Sequence, residues 1–158
     1  MIKKLAASIG EFKKDSLLTP VFVILEVVME VIIPLIMAFM IDYGIEPGEM
    51  SVVTKLGIAL IISAIMSLLF GVLAGHFAAR ASSGYAKNLR QNMFYNLQNF
   101  SFSNIDRFHT ASLITRMTTD VTNIQNAYQM IIRIAVRAPI MLTFSLIMAF
   151  SINPRLSL

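Results

Sequence analysis

The chain has 158 residues, 56% of them hydrophobic and only 14% charged, and its mean hydropathy is +0.72. A water-soluble domain of this length is about half apolar and a quarter charged, so the composition argues against an ordinary soluble enzyme and makes lipid the solvent for the surplus apolar surface. There is no cysteine, hence no disulfide, thiolate metal site or cysteine nucleophile. The net charge of +4 comes from Lys and Arg beside apolar runs, where anionic headgroups and membrane topology account for it without nucleic acid.

Residues Met1–Ser16 read as an amphipathic lead. Ile2, Leu5, Ala6, Ile9 and Phe12 fall on one helical face and Lys3, Lys4, Lys13 and Lys14 on the other, the pattern of a helix lying in the membrane interface with its apolar face down. A first span follows over about 17–42. Its length suits the roughly 20 residues that cross hydrocarbon, with some spare for tilt. Pro20 falls in its first turn, where a missing N–H costs nothing. Pro34 lies deep inside, where a kink is expected. Asp42, Tyr43 and Gly44 are expected to stop the helix, and Glu46-Pro47-Gly48-Glu49 makes a short acidic turn.

The second helix is expected over about 52–100. From Leu56 to Ala79 it has no formally charged residue, and no Pro or Gly cluster then ends it, so the pattern continues past Arg80, Lys87 and Arg90. A helix of nearly fifty residues is roughly 70 Å long at 1.5 Å per residue, against a hydrocarbon core of about 30 Å; it must project far out of the membrane. Ser101–Thr110 breaks the pattern and reads as a turn, a short cross-helix over about 103–110 capped by Ser103 or Asn104, and a second turn. A third long helix, over about 111–152, returns to the bilayer and ends at Asn153-Pro154. The fold class is therefore an all-α membrane protein: an interfacial helix plus three transmembrane helices, the second and third extended beyond the membrane and joined by a short cross-helix.

The basic residues orient this arrangement. The lead and the hairpin carry Lys3, Lys4, Lys13, Lys14, Arg80, Lys87, Arg90, Arg107 and Arg116, whereas the opposite loop sets Asp42, Glu46 and Glu49 against Lys55 alone. The positive-inside rule then places the hairpin and the N-terminus in the cytoplasm of a multi-pass cell-membrane protein.

No catalytic constellation stands out, and three other features carry chemistry. Two helices joined by a cross-helix outside the bilayer form a lever, and a protein docked on Asn104, Ile105, Asp106, Arg107, Phe108, His109 and Thr110 could move both as stiff rods. Glu26 and Glu30, one helical turn apart on the first span, are ionisable groups at membrane depth and therefore functional suspects. They suit either a cavity for cationic or proton-coupled substrates or an ion pair with Arg133 and Arg137, which are also four apart, on the third span. Counting back from the outer helix ends puts Glu26 ~24 Å and Arg137 ~22 Å deep, Glu30 ~18 Å and Arg133 ~28 Å. Third, Ser63, Ser67, Gly71, Gly75, Ala79 and Ser83 recur every four residues, a ridge that lets another helix approach closely. His76 and His109 are lone histidines without a partner at metal spacing, and no metal site is expected.

Phe108, Leu113, Ile114, Thr115, Arg116 and Asp120, within Ser101–Gln125, resemble the first intracellular loop of ABC exporters, with Ala111 where many members have Gly. Ile33-Pro34-Leu35 and Ile41-Asp42-Tyr43-Gly44-Ile45 are similar to the end of that family's first helix, and the likeness is nearest to bacterial multidrug-type members with heterodimeric partners. The resemblance implies a partial exporter transmembrane domain at 17–158 behind an interfacial elbow helix at 1–16. It implies a cross-helix that couples to a nucleotide-binding domain, a second identical or different transmembrane domain, and export of a small molecule, lipid or peptide by alternating access. It also implies that Arg116 and Asp120 stabilise the loop, as an i,i+4 pair. Members have six helices per transmembrane domain; this chain has three, which suggests one piece of a longer or split assembly. No G-x-x-x-x-G-K-[ST] phosphate loop occurs in it, so no cofactor is expected in this chain, and ATP and Mg belong to the implied nucleotide-binding domain. The expectation from a different class is a small membrane scaffold or assembly subunit that works as three helices without transport.

Overall fold

In a computed structural model, residues 8–98 and 110–152 are described, and among them the chain is helical, with no strand. Helix α1 runs Lys13–Met40 and α2 Met50–Gln98. A short helix α3, Thr110–Thr115, leads through a wider turn of helix at Arg116–Asp120 into α4, Val121–Ile152. Of the expected coupling segment, Asn104–His109 lie outside the described residues, and Thr110 opens α3.

α1 starts four residues before the expected Leu17. Nothing in Lys13–Ser16 opposes helix, and Asp15 in the first turn suits the positive helix end. Gly10, at φ +50°, turns the chain into it through a short tight helix at Gly10–Phe12. Here the expectation of an apolar face laid on lipid is corrected for two residues. Phe12 lies against Gly84 of α2, and Ile9 packs on the cluster of Tyr85, Ala86, Leu89 and Val121. Asn88 Nδ2 donates to the Ser8 carbonyl at 3.0 Å, and Asn92 Nδ2 to Ser8 Oγ at 3.3 Å. Both apolar side chains gain a dry protein surface at the protruding part of α2, and the carbonyl of Ser8 gains a donor.

At the other end, α1 does not stop at Asp42. A wider helical turn carries it through Ile45, and the reversal falls at Gly48, whose φ of +78° is open to glycine at no steric cost. Gly44 lets the first turns of α2 come close, since a Cβ there would meet Val53 Cγ2 at 2.8 Å.

α1, α2 and α4 are long and apolar enough to cross a membrane. α2 has 49 residues, about 74 Å of helix, more than twice the hydrocarbon thickness. α1 packs mainly on α2 and more lightly on α4. The buried stripe of α2 is Ala74, Ala78, Ala81, Ser82, Tyr85, Ala86 and Leu89. Ala74, Ala78 and Ala81, like Ala86 without exposed surface, let the α1 backbone approach, and Val23 and Val27 fill the space against Ala74. The row expected from the sequence is offset from this stripe: Ala79 and Ser83 are exposed, and Gly75 has open space around it. Spacing alone could not choose between the two, since small residues fill both.

Candidate functional site

The polar groups at membrane depth gather between α1 and α4. Glu26 and Glu30 share one face of α1 because four residues complete about one turn. Arg137 reaches both from α4: Nη1 donates to Glu26 Oε1 at 3.0 Å, and Nη2 donates to Glu30 Oε1 and Oε2 at 2.6 and 2.8 Å. A planar guanidinium suits this bridging because its donors are held in a fixed fork. The ladder expected from depth counted along the helices is thus realised in part, with Arg137 level with the two acids. Arg133, one turn nearer the hairpin, forms no ion pair among the described residues.

Glu26 is 9% exposed, and Gly71 of α2 makes room for it. A Cβ on Gly71 would lie 3.0 Å from Glu26 Oε1 and 3.2 Å from its carboxyl carbon. This gives Gly71 a role that its place in a row of small residues did not reveal: it admits a carboxylate between two helices. Glu26 Oε1 is held by Arg137, whereas Oε2 is shut off from solvent and has no hydrogen-bond partner.

Two cavities flank this carboxylate. One, of about 390 Å³, is lined by Val23, Glu26, Gln129, Met130, Arg133 and Arg137, among others. The other, of about 480 Å³, is lined by Glu26, Ile33, Ser67, Gly71, Val72 and Arg133 with neighbours. Ser67 and Gly71 of the small-residue row are therefore lining residues. A third cavity, of about 560 Å³, lies toward the Asp42 end of α1 and is bounded by Glu30, Pro34, Asp42, Met141 and Met148. Each lies in the range that holds small ligands, about 300–1,000 Å³.

Beyond the cavities, the protruding ends are tied by polar contacts. Arg90 Nε donates to the Met117 carbonyl at 3.4 Å and Arg90 Nη2 to Thr122 Oγ1 at 3.2 Å. Gln125 Nε2 donates to Ser83 Oγ at 3.3 Å. Tyr85 and Tyr128 stack with centroids 4.7 Å apart, and Tyr128 shares a 2.7 Å hydrogen bond with Ser16. Burial, with Tyr128 alongside, pushes the Tyr85 phenol above 10.0. Arg80 and Asp15 are 3.4 Å apart, with the arginine mostly exposed.

The expected Arg116–Asp120 pair does not form among the described residues. Both side chains are exposed, where the attraction is weak and holding two long side chains together costs entropy. Arg90 makes the tie instead; its basic character was read only as a topology signal. His76 is exposed and meets Phe77 edge-on at 5.7 Å, and His109 lies outside the described residues.

Residues 16–158 match the family described as the ABC transporter transmembrane region. Over 80 residues, 51% of this chain, the sequence is 35% identical to an uncharacterized ABC transporter ATP-binding protein of Bacillus subtilis (strain 168), YfiB. Over 102 residues, 65% of the chain, it is 29% identical to an uncharacterized ABC transporter ATP-binding protein of Mycobacterium tuberculosis, Rv1273c, and to one of Mycobacterium bovis, Mb1304c. The matched stretch is 14% of the Bacillus protein's length and 18% of each mycobacterial one. With the family's region matched from the first turn of α1 onward, and with three long apolar helices, one of them far longer than the bilayer, this chain belongs to the ABC transporter transmembrane region family.

Proposed function

We propose that this chain forms helices of the transmembrane domain of an ATP-driven exporter, working by alternating access. The match over residues 16–158 to the ABC transporter transmembrane region carries this reading. The protruding ends of α2 and α4 support it mechanically. Arg90, Gln125 and the stacked tyrosines bind them to each other outside the hydrocarbon, so a push on the segment between them moves both. That segment, Asn104–Thr110, is the docking surface for a nucleotide-binding domain, and Phe108 is its apolar anchor. ATP and Mg act on that partner, in keeping with relatives that are named ATP-binding proteins. A second transmembrane domain completes the pathway, and the N-terminus is cytoplasmic.

The test uses the absence of native cysteine. Met130→Cys places one thiol on the wall of the 390 Å³ cavity. Its labelling by a water-soluble maleimide is expected to change several-fold when ATP and vanadate are added to the protein purified together with its nucleotide-binding domain. Adding Phe108→Ala to this variant is expected to remove the nucleotide effect without changing basal labelling. Labelling indifferent to nucleotide in the single variant would refute coupling.

A further inference from the structure

The four charges at membrane depth are not satisfied as two pairs. Glu26, Glu30 and Arg137 form one network with a formal charge of −1, and Arg133, at +1, stands outside it. The network leaves one acceptor over, Glu26 Oε2, enclosed and without a partner. Arg133 and Glu26 border the same two cavities, so an unpaired guanidinium and a half-satisfied carboxylate lie on common space between helices. Buried polar atoms without partners are uncommon in folded proteins, and charge unpaired at membrane depth is costly.

We propose that these cavities bind a zwitterion carrying a protonated primary amine and an acidic group. The amine takes the Glu26 carboxylate, whose soft last torsion turns the enclosed Oε2 toward it, and the acid, a phosphate or carboxylate, takes the Arg133 fork. The charge count selects this class. A simple cation would meet the carboxylate but also the unpaired Arg133. A simple anion would meet Arg133 beside a network of net negative charge. A zwitterion neutralises both. The lining outside the charges is largely apolar, including Val23, Met130, Ile134, Leu68 and Val72, so the ligand carries an apolar portion next to its charged end. A quaternary ammonium has no N–H and leaves Oε2 unserved, so a primary amine is preferred to a choline. That the ligand is cargo rests on the transport reading above; that it binds does not.

The experiment therefore reads binding without nucleotide. The protein is reconstituted in nanodiscs of equal phosphatidylethanolamine and phosphatidylcholine, and retained lipid is identified by native mass spectrometry. A parallel arm measures displacement of a fluorescent apolar dipeptide with free termini by the same dipeptide unlabelled or N-acetylated. Retention of the ethanolamine lipid by about tenfold over the choline lipid, the worth of one charge-assisted hydrogen bond, supports the site with a lipid headgroup as its ligand. Competition by the free but not the acetylated dipeptide, without lipid preference, supports it with a soluble zwitterion. Whichever preference is found should disappear in Glu26→Gln, which can still accept from Arg137 but offers N–H where the amine needs an acceptor. Arg133→Gln, which breaks no ion pair among the described residues, should instead weaken both lipids or both dipeptides alike, by about tenfold, because the acid it grips is common to each pair. Absence of preference in both arms, its survival in Glu26→Gln, or binding unchanged in Arg133→Gln overturns the proposal. Loss of nucleotide-dependent labelling with the preference intact would sink only the transport reading.

Discussion

Arg137 is the residue on which the join between α1 and α4 depends most. Its two terminal nitrogens hold carboxylates one turn apart on α1, and no other cation pairs with either among the described residues. Desolvation offsets much of what such a network contributes, but removing one partner leaves uncompensated charge. Arg137→Gln is therefore expected to destabilise the protein by roughly 3 kcal/mol, read as a lower denaturation midpoint in detergent. Arg137→Lys should fall between the two, since an ammonium cannot straddle both acids as a planar fork does. A midpoint unchanged by Arg137→Gln would mean that the network adds nothing to stability. The four charged residues were legible as two spaced pairs, and counting depth from the helix ends put Arg137 level with Glu26. What the count could not give was rotation about the helix axes, which turns Arg133 away from the acids and into the cavities.

At the scale of an element, α2 shows how two glycines four residues apart take different roles. Both belong to a periodic row of small residues, but only Gly71 faces an obstacle, the Glu26 carboxylate, while Gly75 has nothing within 4 Å. Gly75→Ala is expected to be neutral or to stabilise by up to about 1 kcal/mol, the helix-propensity gain of alanine over glycine. Gly71→Ala makes the same local gain, yet its Cβ would sit 3.0 Å from Oε1 and must push that oxygen away from Arg137. The two variants should therefore separate by about 1 kcal/mol or more, with Gly71→Ala the less stable, in parallel thermal melts. Equal melts would show that Glu26 adjusts without cost. The length of α2 was readable because nothing from Leu56 to Phe100 breaks a helix. Its packing stripe was not, because alanines at 74, 78 and 81 are as small as the row beside them. The start of α1 was missed for a related reason: Lys13–Ser16 is compatible with either helix, and contacts of Ile9 and Phe12 with α2 decide it.

For the whole molecule the open matter is which end faces the cytoplasm, and the structure sharpens the argument from charge. It brings the start of α1 beside the protruding part of α2, through Asn88, Asn92 and the Arg80–Asp15 contact. Lys13, Lys14, Arg80, Lys87, Arg90 and Arg116 therefore collect at one end. The short loop at the other end has Asp42, Glu46 and Glu49 with Lys55. Basic residues near span ends are retained on the cytoplasmic side, while acidic ones contribute little to orientation, so the expectation of a cytoplasmic hairpin rests on these six basic positions. Because the chain has no cysteine, single thiols report position without background. Glu49→Cys, on the short loop, is expected to react with a membrane-impermeant maleimide on intact cells. Asn96→Cys, exposed near the far end of α2, is expected to react only after permeabilisation. The reverse pattern would put the hairpin outside, away from cytoplasmic ATP, and would remove the physical basis for coupling α2 and α4 to a nucleotide-binding partner. Reaction at both sites on intact cells would mean that the α2 span does not separate them. The inverted result would thus overturn the mechanism and leave the fold, whereas the second would overturn the membrane reading of α2 itself.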